Sequence, residues 1–295
     1  MANTKRTFKG SCILRIQGVY DSLKAADKRL ADYILQNVEK TVGLTIEELA
    51  KDSNSSYATI SRFCKKVGFS GFKEFKGNLL NDAAANKGFE ELSEPFTIDP
   101  NASTESVCEK VYGLSKRILD ESMTILDYPA IDAAVDKILK AESVCFIGAG
   151  ASGISARYAY SKFFRIGIPS YYEADSTLYK MKVSILTEKD VLFAISSSGR
   201  TAEIVECARM ASKNNVHVIS LSDFAISPLT KVSNSNLYTT PRNASLFLDM
   251  DMPLIIGQIA IIDILYSCCC VKMSNKAADL YSKTKLSADA EKLKI

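Results

Sequence analysis

SVCFIGAGASG, residues 143–153, decides the fold class of this chain. Val144–Ile147 is a short apolar run of the kind found in strands buried on both faces, and Gly148, Gly150 and Gly153 follow at once. Two more apolar, β-branched runs lie downstream, VLFAI at 191–195 and VHVISL at 216–221. Residues 153–166 and 201–214, between the runs, carry apolar side chains at helical spacing. Strand and helix in alternation predict an α/β fold, a doubly wound parallel sheet sandwiched by helices. Ahead of it, residues 105–141 read as one long helix. Behind it, residues 274–295 are rich in Lys and Ala and predict an exposed helical tail.

The upstream third has a different texture, and residues 12–83 read as helices alone. Leu30, Ala31, Ile34, Leu35 and Val38 share one helical face, with Asp21 or Ser22 as the expected cap. Thr45 followed by Glu48 is a capping box that starts a helix at Ile46. Lys51–Ser56 is a polar, turn-forming stretch. Ser56 then caps a second short helix in which Ile60, Phe63, Cys64 and Val67 fall at i, i+3, i+4 and i+7. Gly68 stops it, and helical spacing resumes over 71–83. Residues 84–104 are polar, broken by Gly88, Pro95 and Pro100, and lack periodicity. The expected organisation is an all-α domain (1–83), a linker (84–104), an α/β domain (105–273) and a tail (274–295).

At 295 residues the chain has length for two cores. Its 47% hydrophobic and 24% charged residues exclude collagen-like and wholly disordered classes. The net charge of +3 is unevenly shared: residues 1–90 hold 15 basic and 10 acidic residues, which directs attention to a polyanion partner. Eight Cys form no C-x-x-C pair, and with His217 as the single His no metal site is expected. Thiols used as small hydrophobes and the absence of a signal-peptide core in MANTKRTFKG predict a cytoplasmic protein. Met252–Val271 is long enough to span a bilayer. Pro253, Gln258 and Asp263 within it argue instead for a buried or interfacial helix, and no membrane partner is expected.

Two short helices around a tight polar turn are a helix-turn-helix candidate. With its apolar stripe buried, the second helix exposes Tyr57, Ala58, Ser61, Arg62, Lys65 and Lys66. Small and hydroxyl residues at its start permit close approach to base edges, while the cations lie where phosphates flank a major groove. A helical bundle with a solvated charged face is the alternative. The stretch LADYILQNVEKTVGLTIEELAKDSNSSYATISRFCKKVGFSGFKEFK (30–76) resembles the N-terminal domain of RpiR-type bacterial transcriptional regulators, with 58–76 its most specific part. One departure is Ser55, where that family has an apolar turn residue. The resemblance implies double-stranded operator DNA as partner, bound through Ser56, Tyr57, Ala58, Thr59, Ser61, Arg62, Lys65 and Lys66.

In the α/β part, Gly148–Gly153 is literally G-x-G-x-x-G after a strand, and Glu173 and Asp175 follow near the spacing of a dinucleotide site. Free backbone N–H groups at a helix N-terminus equally suit a phosphate. After VLFAI comes Ser196-Ser197-Ser198-Gly199-Arg200-Thr201, a second donor-rich cradle that a nicotinamide site does not need. IGAGASGISARYAYSKFFRIG (147–167) and ISSSGRTAEIVECARMA (195–211) together resemble a sugar isomerase (SIS) domain, the partner domain of RpiR-type regulators. That resemblance implies a phosphorylated sugar effector held by Gly150, Ala151, Ser152, Ser196, Ser197, Ser198, Gly199 and Thr201, with Arg200 at a variable position. Isomerase chemistry needs a positioned base, yet no Glu lies between Glu206 and Glu291. TTPRNASLFLDMD (239–251) offers Arg242 and Asn243 where the family often has a sugar-contacting Glu. Asp249 and Asp251 remain candidate bases, and His217 sits in an apolar strand. The expected function is a DNA-binding regulator of carbohydrate metabolism genes, dimeric or tetrameric, without catalytic residues or cofactor, and with Met252–Cys270 as candidate interface. The rivals are a phosphosugar isomerase or lyase with an accessory helical domain and, more remotely, a nucleotide-cofactor oxidoreductase.

Overall fold

A computed structural model describes residues 11–20, 22–86, 101–240, 246–247, 250–251 and 255–289. Its contacts divide the chain into two units, one running to Ile125 and one opening at Leu126 and holding the main sheet. Most of the expected linker, Asp21, Arg242, Asn243, Asp249 and the end of the tail lie outside the described residues.

The first unit opens with six helices: α1 (Cys12–Tyr20), α2 (Ala25–Gln36), α3 (Val38–Gly43), α4 (Ile46–Asp52), α5 (Tyr57–Lys66) and α6 (Phe72–Asn86). Leu30, Ile34, Leu49, Ile60, Phe63, Cys64 and Val67 meet Phe75 and Leu79 in one core. Phe75 is its hub, with the Phe63 and Phe69 rings set edge-on at 6.2 and 5.6 Å. Both halves of the Thr45–Glu48 capping box form. α4 ends where Asn54 takes a left-handed φ of 47°, while Ser55 N–H bonds Ala50 O at 2.9 Å and Asn54 N–H bonds Lys51 O at 3.3 Å. That is the Schellman closure, and Ser55 serves it through its backbone. Gly68 (φ 94°) ends α5 the same way, with Phe69 N–H on Cys64 O at 2.9 Å. The cap expected for α2 is corrected: Lys24 precedes it with no side-chain bond, and Ser22 donates its hydroxyl back to Val19 O at 2.6 Å.

The single helix expected over 105–141 is two, α7 (Thr104–Thr124) and α8 (Tyr128–Lys140). Asp127 caps α8 by accepting from Ala130 N–H, and Pro129 in the first turn has no N–H to continue the preceding helix. Beyond them run β1 (Val144–Gly148), α9 (Ala151–Arg165), β2 (Ser170–Tyr172), α10 (Ser176–Ser184), β3 (Val191–Ile195), α11 (Ala202–Lys213), β4 (His217–Asp223), α12 (Pro228–Val232) and β5 (Ser235–Thr239). A two-residue pair, β6 (Leu246–Phe247) and β7 (Met250–Asp251), precedes α13 (Ile256–Met273) and α14 (Asn275–Asp289).

Five parallel strands stand in the order β2-β1-β3-β4-β5. Phe146, Phe193 and Ile219 face α8, α9 and α13, while Cys145, Leu192 and Val218 face α10 and α11. The sheet is therefore buried on both sides, which is why its strands read as unbroken apolar runs. β2 and β5 were not anticipated: SYY and SNLYT carry no such run, and both lie at the sheet's edges. α13 is the one helix among the described residues long and apolar enough to cross a membrane. One face of it, with Gln258, Ile261, Ile262, Leu265 and Cys269, turns into the core, and a third of its length is buried.

Two substitutions in α5 separate its two faces. Phe63→Ala removes a fully buried ring and is expected to cost about 3–5 kcal/mol in chemical unfolding. Tyr57→Ala, at a site 61% exposed, is expected to stay within about 0.5 kcal/mol.

Candidate functional site

The start of α5 is built by its own cap. Ser56 Oγ accepts from Thr59 N–H at 3.1 Å and lies 2.9 Å from Thr59 Oγ1. Those two hydroxyls hold the helix end in shape. Tyr57, Ala58, Arg62 and Lys65 are exposed on one face, with Ser61 half-buried among them.

Lys66 stands apart. Its ammonium pairs with the carboxylate of Asp27 on α2, whose side chain is 2% exposed, and the Arg62 guanidinium lies 3.9 Å from the second oxygen. A buried carboxylate is tolerated only when paired. Lys66 therefore ties α5 to the scaffold, whereas Lys65 is exposed. The role of Asp27 was missed in the sequence. Its trace was an acid on the stripe of Leu30, Ala31 and Ile34, an apolar face where a charge needs a partner.

The second cluster lies at the carboxyl edge of the sheet. Gly148 and Ile195 end adjacent strands in register, with Leu221 of β4 beside Ile195. β1 leads to β2 on one side, and the chain then crosses back to β3 on the other, so the switch of winding falls between β1 and β3. Ligands of open α/β sheets bind at such a point. Both loops that flank it open helices without a side-chain cap: Gly150 precedes α9 and Thr201 precedes α11.

The glycines here are sterically required. A Cβ on Gly148 would lie 2.5 Å from Ser152 O, and Gly150 has φ 56°. Gly199 has φ 61°, with the Ser227 hydroxyl where its Cβ would go. Ser196 Oγ lies 3.0 Å from Thr201 Oγ1, and Ser198 Oγ accepts from Arg200 N–H at 3.2 Å. Ser152 and Ser197 come within 3.5 Å of each other across the two loops. Ser152, Ser196 and Ser197 are buried, while Gly150, Ser198 and Arg200 are exposed. Loop 196–201 is braced from β4, where Asp223 N–H bonds Ser197 O at 2.8 Å.

The acids of the dinucleotide reading are engaged locally. Asp175 caps α10 through Thr177 and Leu178 N–H, and Glu173 accepts from Ala174 N–H at 2.8 Å. His217 begins β4, whereas the loops leave the strands level with Leu221, about 13 Å further along at the usual rise per residue. It bonds Ser235 at 3.0 Å, and burial holds its pKa below the ordinary value. Among the described residues no group of His, Cys, Asp and Glu has the arrangement of a metal site.

Comparison with known proteins matches both clusters. A model of the helix-turn-helix domain of the rpiR family fits residues 11–86, and a SIS-domain model fits residues 137–266. The helix-turn-helix regulator YbbH of Bacillus subtilis is 31% identical over 95% of this chain and 97% of its own. This chain belongs to the RpiR family of helix-turn-helix transcriptional regulators. HexR of Pseudomonas aeruginosa is 32% identical over 85% of this chain and 86% of its own. Among solved structures, the Vibrio vulnificus NanR protein complexed with ManNAc-6P superposes with a TM-score of 0.59. It shows 25% identity and covers 94% of this chain and 97% of the NanR chain.

Within the family frame the two lysines of α5 separate. Lys65→Ala is expected to lower the slope of log affinity against log salt for operator DNA by about one, with thermal stability kept. Lys66→Ala is expected to lower stability by roughly 1–3 kcal/mol, because the buried Asp27 carboxylate loses its pair. Equal effects of both changes on slope and stability would refute the separation.

Proposed function

We propose that this regulator works in the cytoplasm, binds operator DNA upstream of carbohydrate genes through α5, and senses a phosphorylated sugar at the two loops. The carrying observation is the meeting of Ser152 with Ser197 at the β1/β3 switch point, between two helix N-termini without side-chain caps. Amides and hydroxyls around an N-terminal helix dipole are the equipment for a phosphomonoester. The ManNAc-6P bound by NanR supports this ligand class. Helix-turn-helix proteins read paired half-sites, so the working form is a dimer or tetramer.

The assigned contacts are Gly150, Ala151, Ser152, Ser196, Ser197, Ser198, Gly199 and Thr201 for the effector. For DNA they are Tyr57, Ala58, Ser61, Arg62 and Lys65, with Ser56 and Thr59 shaping the helix start and Lys66 holding it in place. We assign no catalytic role. An aldose–ketose interconversion needs a base within reach of the sugar carbon, and the single histidine lies at the opposite strand ends.

A thermal-shift screen of sugar phosphates, free sugars and dinucleotides identifies the effector, because a ligand of the folded state raises its stability. The Ser196→Ala, Ser198→Ala double variant is expected to fold and bind DNA but to lose affinity for the sugar phosphate by about 100-fold or more. The free sugar is expected to be ineffective on the wild type. A normal response in the double variant, or turnover of hexose phosphates by the wild type, refutes this reading.

A further inference from the structure

Gln258 occupies the first turn of α13 and is 3% exposed. Its amide meets three serines of the phosphate-loop region. Ser155 donates its hydroxyl to Oε1 at 2.6 Å, while Nε2 donates to Ser197 Oγ at 2.9 Å and to Ser152 Oγ at 3.3 Å. A buried amide is costly unless bonded, and this one is bonded at both ends. An amide also has polarity: its oxygen only accepts and its nitrogen only donates. With the Ser155 hydroxyl on the oxygen end, the nitrogen end faces the loops.

A serine hydroxyl has one hydrogen and two acceptor lone pairs. When its oxygen accepts from an amide N–H, its own hydrogen points away from that amide. Nε2 therefore fills acceptor capacity on both Ser152 and Ser197 and directs their hydrogens away from α13. Oxygens of a phosphate or sulfate dianion accept hydrogen bonds and make the stronger, charge-assisted kind. One of the two hydrogens is used in the 3.5 Å Ser152–Ser197 contact, so the pair meets such an anion with donor rather than acceptor character through the other.

We propose that Gln258 is the positioning residue of the anion site, setting the donor direction of the Ser152–Ser197 pair without touching the ligand itself. The proposal rests on the reading of the two loops as the phosphate site and adds what fixes their hydrogen-bond polarity. Gln258→Glu changes the shape little but reverses the polarity, because a carboxylate accepts where the amide donated. It draws both hydroxyl hydrogens inward and adds a negative charge beside the anion.

The test titrates the full-length chain with sulfate, which keeps its charge across the range from about pH 5 to 8.5 in which a variant carboxyl can titrate. Arg157 and Lys162 on α9, Arg200 beside the loop, Glu203 on α11 and Asp263 on α13 are charged groups of the surrounding elements. The wild-type profile measures what they contribute. For Gln258→Glu the sulfate affinity at the alkaline end is expected to fall by about tenfold or more and to recover on acidification, as the carboxyl takes a proton and can donate. Gln258→Leu is expected to bind more weakly than wild type with the wild-type pH profile, which separates polarity from packing.

Equal sulfate affinity in wild type and Gln258→Glu, without added pH dependence, overturns the proposal and leaves the phosphate reading standing. Absence of sulfate and inorganic phosphate binding in the wild type overturns the phosphate reading and this inference with it. Should Gln258→Glu fail to fold, Ser155→Ala decides. Losing the hydroxyl that orients the amide is expected to weaken sulfate binding by about threefold or more, and an unchanged affinity overturns the proposal.

Discussion

Backbone N–H groups at the start of a helix must find an acceptor, and this fold leaves two such starts uncapped by side chains on adjacent strands. In α9 and α11 the preceding residues are Gly150 and Thr201, neither of which bonds its helix through a side chain. Thr45, Ser56, Ser103, Asp127, Asp175 and Ser227 accept from the N–H groups of their helices, while α2, α3 and α13 also start without a side-chain cap but not on neighbouring strand ends. The sheet order makes neighbours of the two uncapped starts by placing β1 beside β3. Gly148 and Gly153 let α9 begin within contact of the strand end, and Gly199 lets the second loop fold under Ser227. Positive potential and unspent donors thus gather at one point of the surface.

The helical unit meets its polyanion by another principle. α5 is short, and ten residues have little stability alone. Burial of Ile60, Phe63 and Cys64 holds one face, and the Asp27–Lys66 pair pins the C-terminal turn. A lysine spent in this way contributes less to phosphate attraction, so a charge count along the helix overstates its electrostatic reach. Arg62, 62% exposed and at the margin of Asp27, lies between the two uses.

What the sequence disclosed follows from where burial and local capping dominate. Apolar runs named β1, β3 and β4 because both of their faces are covered. The capping box and Ser56 named the starts of α4 and α5 because those bonds are local. The edge strands β2 and β5 escaped, since half-exposed strands of three and five residues carry no apolar run. The break between α7 and α8 was missed where Pro129 and Asp127 interrupt an otherwise continuous helical spacing. The site was legible as two loops because strand, glycine and hydroxyl run together in the chain. The relation of Gln258 to Ser152 was not, because 106 residues separate them and only packing joins them.

A sensor and an isomerase can share these loops, and what distinguishes them is the chemistry placed beyond the phosphate. Holding a dianion takes donors that keep their protons, which serine hydroxyls and backbone amides do throughout the physiological range. Turning over its sugar takes a group that gives and regains a proton near neutral pH. The single imidazole of this chain sits at the amino ends of the strands, half-buried against Ser235 and held toward its neutral form. The acids that follow β2, Glu173 and Asp175, are spent on backbone N–H groups. Fixed donors of this kind suit the holding of a phosphate ester rather than the turnover of its sugar. That is the property a regulator requires of its effector, because a ligand consumed on binding could not report its own concentration.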